Sequence, residues 1–479
     1  MDKLKEYFKD YYLLNDINGI LFWDNATNLP SDSISSRTEQ MSILSKLSDK
    51  IFRNPKVLDD LADTKNLKLS DLDQKNLNLM NDIIIRENAV DPILKTKLIE
   101  QKLKCEHLWR EARQKNDVSL IEDEFNNLLN LVHEEASQLS VITKLSPYDS
   151  LISKYDIDYN SNKIDTIFDI IQKEIIPNYL SADKINDPTV YQLTISENEI
   201  LNQTKKKLAE LNFNFSQGRI DQSHHPFCGG ANSDVRITTR FENNILETLS
   251  ALFHETGHGV YEQNRPKELL YEPIGQSRSL SVHESQSLFY ENHIFKTSEY
   301  FIKFAEIFDK KNELLKSFND HYHTIRYNPI RVSSDEFSYP IHVYIRYEIE
   351  KNIFSEKIKF QDIKKLWNSM YQKYLNINLA NDTDGVLQDI HWYEGIFGYF
   401  PTYALGAMIS SQIKYNCPYY EEFLKKPESE NIKNIANWLN KNVHQSASLY
   451  SCDEMLQKIS GEKINPTYYS KHLRERFLK

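Results

Sequence analysis

The chain is organised around residues 249–264, which read Leu-Ser-Ala-Leu-Phe-His-Glu-Thr-Gly-His-Gly-Val-Tyr-Glu-Gln-Asn. Within this stretch His254, Glu255 and His258 form an H-E-x-x-H pattern. Residues four apart lie nearly above one another on a helix, so both imidazoles can point at one metal ion. Apolar residues recur at helical spacing in the same region: Leu246, Leu249, Leu252 and Phe253. The pattern therefore predicts a helix with one buried face and one metal-binding face.

A catalytic zinc site needs a third protein ligand besides two histidines, and an open position for water. A third histidine in H-E-x-x-H-x-x-G-x-x-H is excluded, because Tyr261 and Asn264 occupy the corresponding positions. A carboxylate from further along the chain is the other common solution. The candidates are Glu262, Glu268, Glu272, Glu284 and Glu291. Glu284 is favoured because a helix predicted over residues 279–296 would hold it, and Glu291 is the alternative.

His283 directly precedes the favoured ligand and has two interpretations. It could donate a hydrogen bond that orients a metal ligand, or it could be a core histidine whose nitrogens are satisfied locally. The sequence does not separate these two roles.

Residues 234–241, Asp-Val-Arg-Ile-Thr-Thr-Arg-Phe, alternate between apolar and polar side chains and predict a half-buried strand just before the metal-binding helix. The preceding residues 220–233 are rich in Gly, Pro, His and Asn and predict a turn-rich loop. A free edge of the strand could bind an extended peptide by main-chain hydrogen bonds. The alternative is a short structural hairpin.

The remainder of the chain predicts amphipathic helices, among them a long series over residues 77–145. No linker divides the chain convincingly, so we expect a single domain over residues 1–479, with two lobes flanking a groove as the alternative description. The predicted fold class is mainly α with one small β-sheet beside the metal helix.

Composition excludes several classes of protein. The net charge of −11 argues against a nucleic-acid-binding surface, which is usually basic. The four cysteines are scattered and predict free thiols in a reducing compartment. The uncharged stretch 395–412 approaches the length of a membrane span, but Pro401, Gly406 and neighbouring hydroxyl residues predict a buried helix and turn instead. The charged N-terminus lacks the apolar core of a signal peptide, and we expect a cytoplasmic location and no membrane partner.

Several motifs together resemble the carboxypeptidase Taq family of metallopeptidases. They are D-V-R-I-T at 234–238 for D-x-R-x-T, H-E-T-G-H at 254–258, H-E-S-Q at 283–286, and G-V-L-Q-D-I-H-W at 385–392 for G-x-x-Q-D-x-H-W. His225-Pro226-Phe227 and Trp23-Asp24 also fit. One departure is I-R-V-S-S-D at 330–335, where the family usually has Ala in place of Ser334.

The resemblance implies an α-helical fold similar to neurolysin and angiotensin-converting enzyme, with a deep groove over the metal. It implies a cytosolic homodimer that removes single residues from peptide C-termini, with broad specificity and poor action around proline. One divalent metal per chain, zinc or alternatively cobalt, would support activity. His254, His258 and Glu284 would be the metal ligands, and Glu255 the catalytic base.

The chemistry of peptide hydrolysis suggests further residues. The tetrahedral oxyanion needs hydrogen-bond donors, and His391, Tyr399 and Tyr403 are candidates in or after the H-W motif. Tyr399 and Tyr403 could equally be core residues.

Recognition of a terminal carboxylate suits arginine, whose planar fork binds both oxygens. Arg346 is the favoured receptor, with His342 one turn before it, and Arg236 on the strand is the alternative. Arg346 could instead form a surface pair with Glu350.

The leading hypothesis is therefore a metal-dependent carboxypeptidase acting on peptides. An oligopeptidase or aminopeptidase with the same H-E-x-x-H site is the alternative enzyme, because the motif does not report which end of a peptide is cleaved. A helical interaction protein with a vestigial site is the hypothesis from another class, and the intact Glu255 argues against it.

Overall fold

The computed structural model describes residues 1–186, 196–242, 244–308 and 311–478, which fold mainly into α-helices with one small sheet. The predicted fold class is therefore confirmed. The helices are α1 (Asp2–Thr27), α2 (Ile34–Arg53), α3 (Pro55–Thr64), α4 (Asp71–Ala89), α5 (Pro92–Lys115), α6 (Glu122–Thr143), α7 (Pro147–Ile152), α8 (Ser161–Ile170), α9 (Ile176–Ser181), α10 (Glu197–Glu210), α11 (Ile245–Gln263), α12 (Leu280–Leu288), α13 (Ser298–Phe304), α14 (Lys311–Tyr322), α15 (Tyr339–Glu356), α16 (Phe360–Leu375), α17 (Pro401–Asn416), α18 (Tyr420–Lys425), α19 (Ser429–Asn442), α20 (Cys452–Ser460) and α21 (Thr467–Phe477).

Local sequence chemistry determines many of the helix ends. Asp91 begins α5 by accepting hydrogen bonds from the Ile93 and Leu94 N–H groups, and Pro92 occupies the first helical position. Asn116 ends the same helix in the left-handed conformation. Ser451 and Glu454 form a reciprocal capping box at the start of α20. These ends follow from side chains adjacent in sequence.

The chain forms two compact units, each built from three segments. The first unit contains Met1–Asn88, Val190–Phe318 and Ile409–Ile464. The second contains Ala89–Thr189, Asn319–Met408 and Asn465–Lys479. The interpretation of the chain as one domain stays a prediction.

The sheet lies in the first unit and has three strands, β1 (Gly218–Gln222), β2 (Cys228–Ala231) and β3 (Asp234–Thr239). The order is β1-β3-β2, with β1 parallel and β2 antiparallel to β3. The predicted strand is therefore correct, but the prediction of its free edge is wrong, because β3 is paired on both sides. The predicted loop before it contains β2. Alternation reports that a strand has a buried face, but not where it lies in a sheet.

The core of the first unit packs around α11. Leu246, Leu249, Leu252 and Phe253 are fully buried, as the helical spacing predicts. The Phe253 ring stacks on Phe295 at a centroid distance of 4.6 Å. This apolar side holds the helix so that its other side can carry polar groups.

The core of the second unit is rich in aromatic side chains. The Trp367 ring stacks on Tyr371 at 5.3 Å and lies edge-on to Trp392 at 5.6 Å. Most of the stretch 395–412, which has nearly the length of a membrane span, lies in α17, and the central residues of this helix are buried. Among the described residues, no helix combines the length and apolar character that crossing a bilayer requires.

Candidate metal centre

Helix α11 carries the three residues of the H-E-x-x-H pattern. Its N-terminus is capped by Asn244, whose side chain accepts a hydrogen bond from the Leu246 N–H. His254 and His258 are half-buried, and their rings lie 5.0 Å apart on the same face. The predicted arrangement of the two imidazoles is therefore the one observed.

Glu284 on α12 completes a set of three converging ligand atoms. Its Oε2 lies 3.5 Å from His258 Nε2 and 3.9 Å from His254 Nε2. One ligand atom from each residue lies within 4.8 Å of the others. Gly257 permits this approach of α12 to α11, because an added Cβ would lie 2.4 Å from the Gln286 carbonyl oxygen.

Glu291, the alternative ligand, contacts the other nitrogen of His254. It lies in a π-helical turn, Phe289–Phe295, that continues α12. Its Oε2 is 2.8 Å from His254 Nδ1, and its Oε1 accepts hydrogen bonds from Ser250 Oγ at 2.7 Å and Lys296 Nζ at 2.6 Å. A carboxylate at Nδ1 holds a proton there, which leaves Nε2, on the side of Glu284, as the nitrogen that can bind a metal ion.

The other candidate carboxylates have different partners. Glu262 pairs with His283 and Arg265. Glu272 accepts a hydrogen bond from Asn76 Nδ2 at 2.6 Å, and Glu268 is exposed. The three therefore do not join His254 and His258 in the ligand set.

His283 contacts the second histidine of the motif rather than the space between the ligands. Its Nδ1 is 2.6 Å from His258 Nδ1, and its Nε2 is 2.8 Å from Glu262 Oε1. The two imidazole rings are stacked at 4.6 Å. The sequence raised this residue as a possible support but did not identify its partner.

Glu255 is a buried carboxyl with unused hydrogen-bonding capacity. It is 6% exposed, and its Oε2 has no hydrogen-bond partner among the described residues. Burial raises its pKa to about 7, although the positive charge of a protonated His254 acts in the opposite direction. A carboxyl with a pKa in this range can both accept and return a proton near neutral pH.

The charges of the centre fit a divalent cation. Burial lowers the pKa of His254, but Glu284 and Glu291 raise it by more, to about 10. Burial and the neighbouring His283 lower the pKa of His258 to about 4. The raised pKa of His254 shows that the carboxylates around it favour a positive charge at this position. Two imidazoles and one carboxylate are a donor set that zinc and related ions prefer.

Arg346 and His342, the favoured carboxylate receptor and its neighbour, lie in the second unit and are fully buried. The Arg346 guanidinium donates to Asp389 Oδ2 at 2.6 Å and to Gln388 Oε1 at 2.7 Å. His342 Nδ1 is 3.0 Å from the Tyr371 hydroxyl. The roles of both residues in substrate binding stay predictions. The surface pair of Arg346 with Glu350 is wrong, because neither side chain is exposed.

Arg236, the alternative receptor, is held within the first unit. It donates to Asp234 Oδ1 at 2.9 Å, and its guanidinium lies 4.5 Å from the centre of the Trp23 ring. Asp24 forms an ion pair of 2.7 Å with Arg37, which joins α1 to α2. The guanidinium of Arg219 on β1 also lies over this ring, at 5.1 Å, so the Trp-Asp pair noted in the sequence contacts two arginines of the sheet and one of α2.

His391, Tyr399 and Tyr403 form one aromatic cluster in the second unit. His391 Nε2 is 3.2 Å from the Tyr403 hydroxyl, and the Tyr399 and Tyr403 rings are 5.3 Å apart. All three side chains are partly exposed, although His391 Nδ1 is buried and has no hydrogen-bond partner among the described residues. Their role as oxyanion donors stays a prediction.

Sequence reasoning did not assign a role to Arg331 or Asp389. Arg331 is 4% exposed and forms an ion pair of 2.8 Å with Asp389. The only available signal was their position inside the I-R-V-S-S-D and G-x-x-Q-D-x-H-W motifs.

Comparison with known proteins gives consistent matches over nearly the whole chain. Residues 3–477 match the family model described as Carboxypeptidase Taq (M32) metallopeptidase. Carboxypeptidase 1 of Bacillus subtilis is 32% identical, with 96% of this chain and 94% of the relative covered. Thermostable carboxypeptidase 1 of Pyrococcus furiosus is 27% identical, with 98% and 97% covered. The solved structure of Trypanosoma cruzi metallocarboxypeptidase 1 matches with a TM-score of 0.92 and 28% identity, with 100% of this chain and 99% of the other covered.

Proposed function

The chain belongs to the carboxypeptidase Taq (M32) family of metallopeptidases and is a metallocarboxypeptidase. We propose, on this basis, how residues of its first unit carry out peptide hydrolysis. We propose that it releases single amino acids from the free C-terminal ends of peptides, with broad specificity and poor action around proline. The observation that carries this proposal is the convergence of three ligand atoms beside a buried carboxyl that has an unused acceptor.

The proposed metal ligands are His254 Nε2, His258 Nε2 and an oxygen of Glu284. Zinc is the proposed metal, and cobalt, with similar ligand preferences, is the alternative. When bound, the ion makes water more acidic and polarises the carbonyl group of the scissile peptide bond. The chain contributes the geometry, because Gly257 lets α12 pack close to α11 and Glu291 orients His254.

Glu255 is the proposed general base and acid. Its place next to His254 in the motif puts the carboxyl beside the ligand set, and its burial keeps its pKa near 7. In the proposed reaction it removes a proton from the attacking water and later delivers that proton to the leaving amine. The Oε2 atom of Glu255 has no hydrogen-bond partner among the described residues, so it can accept this proton.

The end of the peptide that is cleaved distinguishes this proposal from an oligopeptidase or aminopeptidase with the same motif. We expect the zinc- or cobalt-loaded enzyme to produce a ladder of products shortened from the C-terminus of a long peptide, read by mass spectrometry. The same peptide with an amidated C-terminus should remain intact, and a chelator should stop the reaction. Internal cleavage, or shortening from the N-terminus, would contradict the proposal.

The resemblance also implies a homodimer and a cytoplasmic location. These remain proposals that rest on the family alone. The preferred terminal residue is open to the same mass-spectrometric measurement, because each step of the ladder reports the residue released.

A further inference from the structure

The two histidines of the motif are supported by different chemical groups. His254 Nδ1 faces the carboxylate of Glu291 at 2.8 Å. His258 Nδ1 instead faces the imidazole of His283 at 2.6 Å. A carboxylate only accepts hydrogen bonds, whereas a neutral imidazole has one donor and one acceptor nitrogen. The tautomer of His258 therefore depends on which nitrogen of His283 carries its proton.

Glu262 determines the tautomer of His283. Its Oε1 lies 2.8 Å from His283 Nε2, and an ionised carboxylate requires a donor there. Burial raises the pKa of Glu262, but Arg265 and His283 lower it by more, to about 2, so the group is ionised. His283 Nε2 then carries the proton and Nδ1 accepts. His258 Nδ1 must donate to it, which leaves the His258 Nε2 lone pair directed toward Glu284.

Arg265 fixes the far end of this chain of contacts. It is 4% exposed, and its Nε lies 2.9 Å from Glu262 Oε2. Its Nη1 donates to the Gln276 side-chain oxygen at 2.7 Å and to the Gly275 carbonyl at 3.1 Å, and its Nη2 donates to Asn232 Oδ1. A guanidinium held at several points cannot rotate away from the carboxylate without breaking these bonds.

We infer that His283 is a positioning residue for the metal centre: with Glu262 and Arg265 it holds His258 in the tautomer whose Nε2 is free to bind metal. The inference rests on the proposed role of His258 as a ligand. Since His254 is oriented by Glu291, the two ligand histidines have separate supports, and loss of one should leave the other in place.

His444 provides a matched comparison for this inference. It is fully buried, and its ring lies tilted against Tyr261 at a centroid distance of 5.2 Å; Tyr261 in turn lies tilted against His283 at 5.3 Å. Its Nε2 is 3.0 Å from Gln286 Oε1. His283 and His444 thus contact the same tyrosine ring, but the hydrogen bond to a ligand histidine belongs to His283.

The test measures metal binding directly. The apo full-length protein is titrated with Zn²⁺ against a chromophoric chelator, and with Co²⁺ while the visible absorption bands of the bound ion are recorded. We expect His283→Phe to weaken Zn²⁺ binding by about 10–100-fold and to change the Co²⁺ spectrum, because the ring is retained but the acceptor is lost. His283→Asn places an amide oxygen near the former Nδ1 and should restore most of the affinity.

His444→Phe is the control for disturbed packing of the rings around Tyr261. We expect its metal affinity to stay within about threefold of the parent, because the hydrogen bonds from Glu291 and His283 to the ligand histidines are intact. Glu262→Gln should weaken binding as His283→Phe does, because its amide nitrogen faces either the His283 donor or Arg265. This variant carries the test if circular dichroism shows His283→Phe to be unfolded.

Parent-like affinity and Co²⁺ spectrum in folded His283→Phe or Glu262→Gln would overturn the inference. Equal weakening in His444→Phe, or no recovery in His283→Asn, would also overturn it, because either result would attribute the effect to packing. None of these outcomes contradicts the proposed function, provided that the parent protein binds one ion per chain and His258→Gln does not. A parent that binds no metal would refute the proposed function and the inference with it.

Discussion

Two clusters of charged side chains, one in each unit, differ in whether their polar atoms have hydrogen-bond and ion-pair partners. The ligand cluster of the first unit comprises His254, His258, Glu284 and Glu255. The arginine cluster of the second unit comprises Arg331, Arg346, Asp389 and Gln388, and there each guanidinium has a carboxylate partner. Burial raises the pKa of Asp389, but the two arginines lower it by more, to far below its usual range. The two guanidiniums share this one carboxylate, and they donate further hydrogen bonds to Gln388 Oε1 and to the Tyr339 hydroxyl.

The ligand cluster is arranged in the opposite way. Its nitrogen and oxygen atoms point toward one another across 3.5 to 3.9 Å, and Glu255 Oε2 lacks a partner among the described residues. Burial of unpaired polar groups costs free energy, so a chain retains such an arrangement where something else binds there. Converging polar atoms that lack partners therefore indicate a functional site better than buried charges do. Substitutions in both clusters can test that distinction.

The largest expected effect comes from removing the carboxylate that closes the ligand set. Glu284→Ala should lose bound metal, and its peptidase activity should fall to the background of the metal-free protein. Glu291→Gln should keep the metal but bind it about 10–100-fold more weakly, because it changes only the support of His254. Metal content by mass spectrometry and a Zn²⁺ titration check both. If Glu284→Ala retains one ion per chain, the ligand role moves to Glu291.

The next effect separates chemistry from metal binding within the same cluster. Glu255→Gln should retain the metal and lower kcat by about 10²–10⁴-fold, because the amide cannot accept the proton of water. Glu247→Gln, an exposed residue on the same helix, is the control and should leave kcat unchanged. Turnover of Glu255→Gln at the parent rate would show that another group is the base.

The smallest effect on catalysis is expected in the arginine cluster. Arg346→Met should lower the free energy of unfolding by about 3–5 kcal/mol, because it breaks a buried charge pair with Asp389. Lys351→Met on the same helix removes a half-exposed pair with Asp165 and should cost at most about 1 kcal/mol. Metal content should be unchanged in both.

Denaturant unfolding and the KM for a peptide with a free C-terminus distinguish the two roles considered for Arg346. A rise in KM without loss of stability would identify it as a carboxylate receptor and would end the contrast between the two clusters. Loss of stability with metal binding intact would assign it to the architecture of the second unit.

The sequence predicted the parts of the site that depend on local periodicity. Two histidines four residues apart on a helix share a face whatever the rest of the fold does, so His254, His258 and the adjacent Glu255 were found without a structure. Glu284 was found with help from its helix and its motif. Glu291 could be ranked only as an alternative, because the sequence does not report that a π-helical turn brings it to Nδ1 of His254.

Predictions that depended on long-range contacts fared less well. The alternation in 234–241 identified β3 but not its central position between β1 and β2. The planar guanidinium of Arg346 suggested a carboxylate receptor, which stays a prediction, but the sequence did not report its contacts with Asp389 and Gln388, which lie more than forty residues away along the chain. Neither strand pairing nor the burial of an arginine is encoded by neighbouring residues.

By itself the sequence predicted a mainly helical chain and a helix whose two histidines share one face, and its motifs identified the metallocarboxypeptidase family. The sequence ranked Glu284 first among several carboxylates, and the tertiary structure then decided that Glu284 converges with the two imidazoles, which groups contact their other nitrogens, and which arginines pair with Asp389. The physical reason is range. Helical periodicity acts over three or four residues, whereas coordination, hydrogen-bond direction and desolvation depend on atoms that only the folded chain brings together.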